Sequence, residues 1–179
     1  MAEKLTLLTN PMSRGRIARW MLEEIGADYD ARIVKYDEDM HSPEYLAINP
    51  MGKVPALVHG DKVVTECAAI CAYLADAFPE AGRAPTPDER ADYYRWLFFA
   101  AGPVEAVVIN RSLGIDIPAD KKRMVVYGDF DLMRNTVISA IAYRPYICGD
   151  LFTAADGYLG SQIGWGLQFG SITPSPELT

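Results

Sequence analysis

The chain is short of the residues that build metal centres and covalent frameworks. Its 179 residues include two histidines and three cysteines, Cys67, Cys71 and Cys148. So few histidines exclude a His-rich metal site. An odd and small number of cysteines excludes a disulfide framework and fits a reducing compartment, so cytoplasmic residence is expected. Positive charge is also scarce: 17 Lys and Arg stand against 24 Asp and Glu, a formal net charge of −7. Neither part of the chain is a basic tail, with 8 basic and 13 acidic side chains in residues 1–80 and 9 and 11 in the rest. Nucleic acid is therefore not an expected partner. Long apolar runs are missing as well. The stretch Trp96–Ala101 is broken by Gly102-Pro103 and Glu105, far below the roughly 18 residues that cross a bilayer. Met1-Ala2-Glu3-Lys4 lacks a basic region followed by an apolar core, so no secretory signal is expected. What remains is a chain 50% apolar and 23% charged, the balance of an ordinary folded protein.

The first eighty residues alternate between strand and helix signals. Leu5-Thr6-Leu7-Leu8 reads as a buried strand. Ile17, Trp20, Met21 and Ile25 recur at spacings of three and four, which makes one apolar helix face, and Gly26 ends it. Tyr29, Ala31 and Ile33 alternate with polar residues, a second strand. Ser42 and Pro43 open a helical turn as N-cap and first helical residue. Val54–Val58 and Lys62–Val64 flank the loop His59-Gly60-Asp61 and read as a hairpin. Glu66–Phe78 is helical, with Ile70, Tyr73, Leu74 and Phe78 on one side. The order β-α-β-α-β-β-α predicts parallel strands from the crossover and an antiparallel strand from the hairpin.

Composition then changes. Residues 79–87 contain three prolines and a glycine, and 81–87 reads as a linker. Beyond it strand signals vanish. Asp88 is placed to cap a long helix through Tyr93, Trp96, Leu97, Ala100, Val104 and Val108, bent at Gly102-Pro103. Pro118 and Asp120 open another, running through Val125, Leu132 and Ile138. Thr153 opens a third, with Thr153 and Asp156 as a capping box and Gly157 where a hydrophobic staple to Phe152 would otherwise sit. The expected architecture is α/β in residues 1–80 and all-helical in residues 88–179.

The chemistry concentrates in Asn49-Pro50-Met51-Gly52-Lys53-Val54-Pro55-Ala56-Leu57 and in Thr65-Glu66-Cys67-Ala68-Ala69-Ile70. Proline entering a strand gives no ladder hydrogen bond but can hold a cis bond that turns the preceding backbone outward. The Val54 N–H and C=O are then free to pair with an extended peptide. The helix beginning at Glu66-Cys67 offers free N–H groups to a carboxylate, and the Glu66 side chain suits an ammonium. A peptide backbone at one end and an amino-acid head at the other describe a small γ-glutamyl peptide. Alone, the Val54-Pro55 string reads equally as a plain strand entry; the Glu66 string in register with it favours the peptide site.

These paired strings, followed by a helical second half, resemble the cytosolic glutathione S-transferases of bacterial type. The resemblance implies a thioredoxin-like first domain with a mixed four-stranded sheet, an all-helical second domain and a homodimer. It implies glutathione as co-substrate, no prosthetic group and an apolar site for a small hydrophobic electrophile. Val54 then corresponds to the residue whose backbone pairs with the cysteinyl part of glutathione, and Pro55 to the cis-proline. Glu66 and Cys67 correspond to the pair that holds the γ-glutamyl group, where the family usually has Ser at position 67. Lys53 and His41 are candidates for the glycyl carboxylate end. The thiol-activating group of the family lies after the first strand, where this chain has neither Tyr nor Cys. Ser13 is the first candidate there, with Asn10 and Thr9 as rivals: a hydroxyl at a helix N-terminus stabilises a thiolate.

Several residues stay open between a chemical and a packing role. Cys67 and Cys71 lie on one helix face, but two ligands make no metal site. His41 and His59 fall in loops, where solvation is their simplest use. Trp96, Phe98 and Phe99 read as helix core, with Tyr93 and Trp96 the first candidates to line the electrophile site. Members of the family usually continue into another helix beyond the Pro-rich end of this chain, so the chain reads as a fragment, a trimmed form or a naturally short member. Two other readings use the same motifs: a glutathione-dependent disulfide reductase or peroxidase, and a non-catalytic ligand carrier.

Overall fold

A computed structural model describes residues 4–178; of the Met1–Lys4 start read from the sequence, residues 1–3 lie outside that range. No helix among the described residues is long and apolar enough to cross a membrane. The chain divides into two compact units with the boundary between Ala84 and Pro85.

The first unit is built on four strands, β1 (Leu5–Thr9), β2 (Tyr29–Ile33), β3 (Ala56–His59) and β4 (Lys62–Thr65), in the order β2-β1-β3-β4. β1 and β2 are parallel, as the crossover through helix α1 (Gly15–Ile25) requires; β1 with β3 and β3 with β4 are antiparallel. Side chains alternate across the sheet. Leu8 and Ala56 join Val34, Met40 and Tyr45 in one buried cluster, next to α2 (Pro43–Leu46). Leu7 and Leu57 fill the opposite face, where α1 packs on α3 (Cys67–Ala77). Ser42 caps α2 as read from the sequence, its hydroxyl accepting the Tyr45 N–H at 3.2 Å. Gly26 closes α1 at φ 67°, a backbone state open to glycine without penalty.

Three expectations change here. Trp20 does not join the buried face of α1, where Ala18 and Leu22 accompany Ile17, Met21 and Ile25; its indole N–H turns outward to Glu24 at 2.9 Å. The apolar residues of β2 are not buried, and Ile33 is 53% exposed, because β2 is the outermost strand of the sheet. His59 belongs to β3 rather than a loop, with Nδ1 2.8 Å from the Tyr73 hydroxyl and its ring stacked on Phe78. The Pro-rich segment begins with a 3-10 turn at Pro79–Ala81, and Arg83 pairs with Glu24 at 3.3 Å.

The second unit is helical. The bend read at Gly102-Pro103 is a π-helical turn over Ala100–Val104, between α4 (Arg90–Phe99) and α5 (Glu105–Ser112). Asp88 does not cap α4. Thr86 and Glu89 bond reciprocally instead: the Glu89 carboxylate accepts the Thr86 N–H at 3.0 Å, and the Thr86 hydroxyl oxygen accepts the Glu89 N–H at 3.3 Å. The helix expected from Pro118 through Ile138 is two pieces, a 3-10 segment Ala119–Met124 and α6 (Phe130–Ile141). Gly128 at φ 67° breaks the run, and Asp129 then restarts it by accepting the Leu132 N–H at 2.8 Å. Phe98 is 70% exposed, outside the core that Tyr93, Trp96 and Leu97 enter.

α7 (Ala154–Gln168) forms with its capping box in place. The Asp156 carboxylate accepts the Thr153 N–H at 2.8 Å and also the Ile147 N–H at 2.6 Å, so it ties the preceding loop to the helix start. Phe152 finds no staple at Gly157 and packs edge-on against Tyr146, ring centres 5.8 Å apart. Replacing Asp156 with Ala removes both ties at once. Unfolding in urea is expected to show a loss of about 2 kcal/mol, the upper range for a helix cap.

Candidate functional site

Strand register brings the chemically interesting residues together. Leu8 pairs with Ala56 across β1 and β3, and Ala56 pairs with Thr65 across β3 and β4. The residues that follow β1, precede β3 and follow β4 therefore emerge at the same end of the sheet. They are Thr9–Ser13, Val54-Pro55 and Glu66-Cys67, the three segments singled out by sequence.

The first segment is a tight turn made of its own polar groups. The Asn10 side chain is used at both ends: its amide donates to the Val34 carbonyl at 3.0 Å, and its oxygen accepts the Met12 N–H at 2.9 Å. The Ser13 hydroxyl donates to the Asn10 carbonyl at 2.6 Å and accepts the Gly15 N–H at 3.0 Å. Ser13 is 8% exposed and stands at the head of α1. Thr9 is buried in β1, its hydroxyl against Gly15; a Cβ on Gly15 would fall 1.9 Å from that oxygen, so only glycine fits. Arg19 faces away, bonded to the Tyr29 hydroxyl at 3.2 Å.

The second segment hangs from one carbonyl. The Lys53 oxygen accepts the Tyr45 hydroxyl at 2.5 Å and the Asn49 amide at 2.8 Å. Asn49, 3% exposed, also accepts the Met51 N–H at 3.1 Å, an Asx turn that shapes the approach. Burial pushes the Tyr45 phenol up, which keeps it a proton donor. Gly52 turns the chain at φ 59°, with the His41 ring 3.6 Å from where a Cβ would stand, so His41 and the exposed Lys53 lie beside the same turn. The Val54–Pro55 bond is cis. Among the described residues, nothing bonds the Val54 N–H or C=O.

The third segment is strained. Glu66 has φ 63°, a left-handed value that costs a non-glycine residue about 1–3 kcal/mol. It precedes the first turn of α3, whose leading N–H groups have no helical acceptor, and its carboxylate is exposed. Cys67 is buried, and its thiol lies 3.4 Å from the Arg14 carbonyl at the start of α1. Anion-seeking N–H groups and a cation-seeking carboxylate thus stand side by side, opposite an open stretch of main chain.

Tyr45 and Asn49 were missed as functional residues by sequence reasoning. Nothing local in the sequence shows that the Asn49 amide and the Tyr45 phenol meet on one carbonyl. In the second unit, Tyr93 and Trp96 are each 3% exposed. Trp96 edges a cleft of about 690 Å³ between α4 and α6, where the Asp92–Arg144 ion pair closes at 2.8 Å; Tyr93 does not line it. No cluster of metal-ligating side chains occurs among the described residues.

Residues 3–76 match the family model for the glutathione S-transferase N-terminal domain. The protein LigF of Sphingobium sp. (strain NBRC 103272 / SYK-6) is 43% identical over 79 residues, 42% of this chain and 31% of that protein. The glutathione S-transferase GstA of Escherichia coli O157:H7 is 31% identical over 125 residues, 68% of this chain and 61% of GstA. The chain thus spans less than two thirds of either curated relative. Among solved structures, the theta class glutathione S-transferase of Xanthomonas axonopodis pv. citri, with glutathione bound, superposes with a TM-score of 0.80 at 28% identity. That superposition covers 98% of this chain and 89% of the other.

Replacing Asn49 with Ala removes one of the two donors on the Lys53 carbonyl and frees the Met51 N–H. Amide exchange at Met51–Val54 is expected to accelerate, with a global loss of about 1–3 kcal/mol in urea unfolding.

Proposed function

Because this chain belongs to the glutathione S-transferase family, we propose that residues 1–80 bind glutathione and that the protein transfers the glutathione thiolate to small hydrophobic electrophiles. The observation that supports this most directly is the unbonded Val54 main chain emerging at the same end of the sheet as Glu66 and the start of α3. An extended tripeptide can pair with Val54 as an added strand. Its γ-glutamyl ammonium suits Glu66, its γ-glutamyl carboxylate suits the N–H groups of Cys67 and Ala68, and its glycyl carboxylate suits Lys53 and His41.

Ser13 is the side chain we assign to the sulfur. Asn10 has both ends of its amide engaged, and Thr9 is packed against Gly15. The Ser13 hydroxyl holds its proton on a main-chain carbonyl and can rotate it to a thiolate without disturbing a strand. The head of α1 adds its partial positive charge. Thiolate stabilisation and positioning then supply the catalysis, and the thiolate displaces a leaving group at an electrophilic carbon. We further propose a homodimer, as is typical of the family, with the electrophile bound by residues of the helical unit.

Calorimetry with glutathione and turnover of a chloro-nitroarene test the reading together. Glu66→Gln is expected to weaken glutathione binding by about ten- to a hundredfold, the worth of a charge-assisted hydrogen bond. Ser13→Ala is expected to lower kcat by about ten- to a hundredfold with KM for glutathione changed less than about threefold. Glutathione binding without turnover on electrophiles or disulfides would point to a ligand carrier; turnover of disulfides alone would point to a reductase.

A further inference from the structure

Two helix starts meet at the site, and one side chain joins them. α1 begins after Arg14 and α3 begins after Glu66, 52 residues later in sequence. The Arg14 carbonyl accepts the Ile17 N–H of its own helix at 2.9 Å, and its second lone pair faces the Cys67 thiol at 3.4 Å. Cys67 is 7% exposed, so this contact is shielded from water. Below it lies Cys71, 1% exposed, whose thiol is held protonated by its contact with Cys67 and by burial. On the other side, Ser13 is bonded to Asn10 and Gly15, and Gly15 sits hard against Thr9. The head of α1 is therefore stiff toward β1, and the Cys67 side chain bonds it to α3.

We infer that the Cys67 side chain is a positioning group: by donating to the Arg14 carbonyl it fixes the start of α1 against the start of α3. It thereby sets the reach from Ser13 to the sulfur of a tripeptide whose γ-glutamyl end is held at α3. The inference rests on the proposed glutathione site and deepens it. The two ends of the ligand are gripped by different helices, so their spacing must match the ligand's length. Only the sulfur end is sensitive to a shift of α1, because the γ-glutamyl end is held by Glu66 and the α3 N–H groups. Cys67 contributes its main-chain N–H to that grip, and its side chain acts elsewhere, through Arg14. Losing the thiol donor frees one carbonyl lone pair and leaves the ligand's head in place while the thiolate loses its donors.

Substitution at Cys67 separates this role from a purely structural one. Cys67→Ala removes the donor, Cys67→Val removes it while filling the space, and Cys67→Ser keeps a donor. The readouts are glutathione affinity by calorimetry, kcat with a chloro-nitroarene, and the midpoint of thiolate absorbance of bound glutathione against pH. In the Ala and Val variants affinity is expected to stay within about twofold while kcat falls about three- to tenfold, the yield of one ordinary hydrogen bond. The thiolate midpoint is expected to rise by about half to one pH unit, the same factor expressed on the proton equilibrium. Cys67→Ser is expected to recover at least half of each change. An unchanged midpoint and kcat in both the Ala and Val variants would overturn the inference while leaving the glutathione site standing. So would a serine variant that behaves like alanine. If the unaltered chain binds no glutathione, the parent reading fails and this one with it.

Discussion

The register that aligns Leu8, Ala56 and Thr65 across three strands is the constraint on which the site depends. Side chains alternate along a strand, so a slip of one residue would exchange the faces on which Leu57 and Ala56 are buried. In the observed register all four are buried, Leu7 and Leu57 on one face and Leu8 and Ala56 on the other. Once that pairing is made, the ends of the strands are placed without further choice. Three chain segments, separated by tens of residues, come out at one edge.

What those segments offer is determined by how their backbone groups are satisfied. The Lys53 carbonyl takes two donors from Tyr45 and Asn49, and the next residue is left unbonded on both its N–H and its C=O. The Asn10 and Ser13 side chains close the β1–α1 turn internally. Glu66 is held at a positive φ, and its side chain stays outside the turn it begins. Strain of that kind persists only where the surroundings over-determine it. The result is a rigid frame around a small number of groups left without partners, the arrangement expected where a ligand supplies the missing bonds.

The helical unit follows a different logic. Its element boundaries are decided by local hydrogen bonds: Thr86 with Glu89, Asp129 with Leu132, and Asp156 with Thr153 and Ile147. Where the predicted bounds failed, a cap competed with the apolar period. Asp88 lost to the reciprocal Thr86–Glu89 pair, and the long helix from Pro118 was cut at Gly128. Hydrophobic period alone cannot register such a break, because Val125 and Leu132 continue the spacing through it.

The amino-acid sequence by itself determined the order of elements, the turn residues and the chemical character of the two motif strings, because each rests on neighbours within a few residues: Ser42 before Pro43, Gly26 after Ile25, Glu66 before a helix. Exposure of Trp20, Ile33 and Phe98 was not legible, since periodicity marks a side chain as apolar without marking which elements cover it. The hydrogen-bond partners of Tyr45, Asn49 and Cys67 were decided only by tertiary structure. Each bonds a main-chain carbonyl brought near by folding, 4 residues away for Asn49, 8 for Tyr45 and 53 for Cys67. The Cys67 contact exists only after the sheet has closed, and no local pattern of residue types encodes which carbonyl will be waiting.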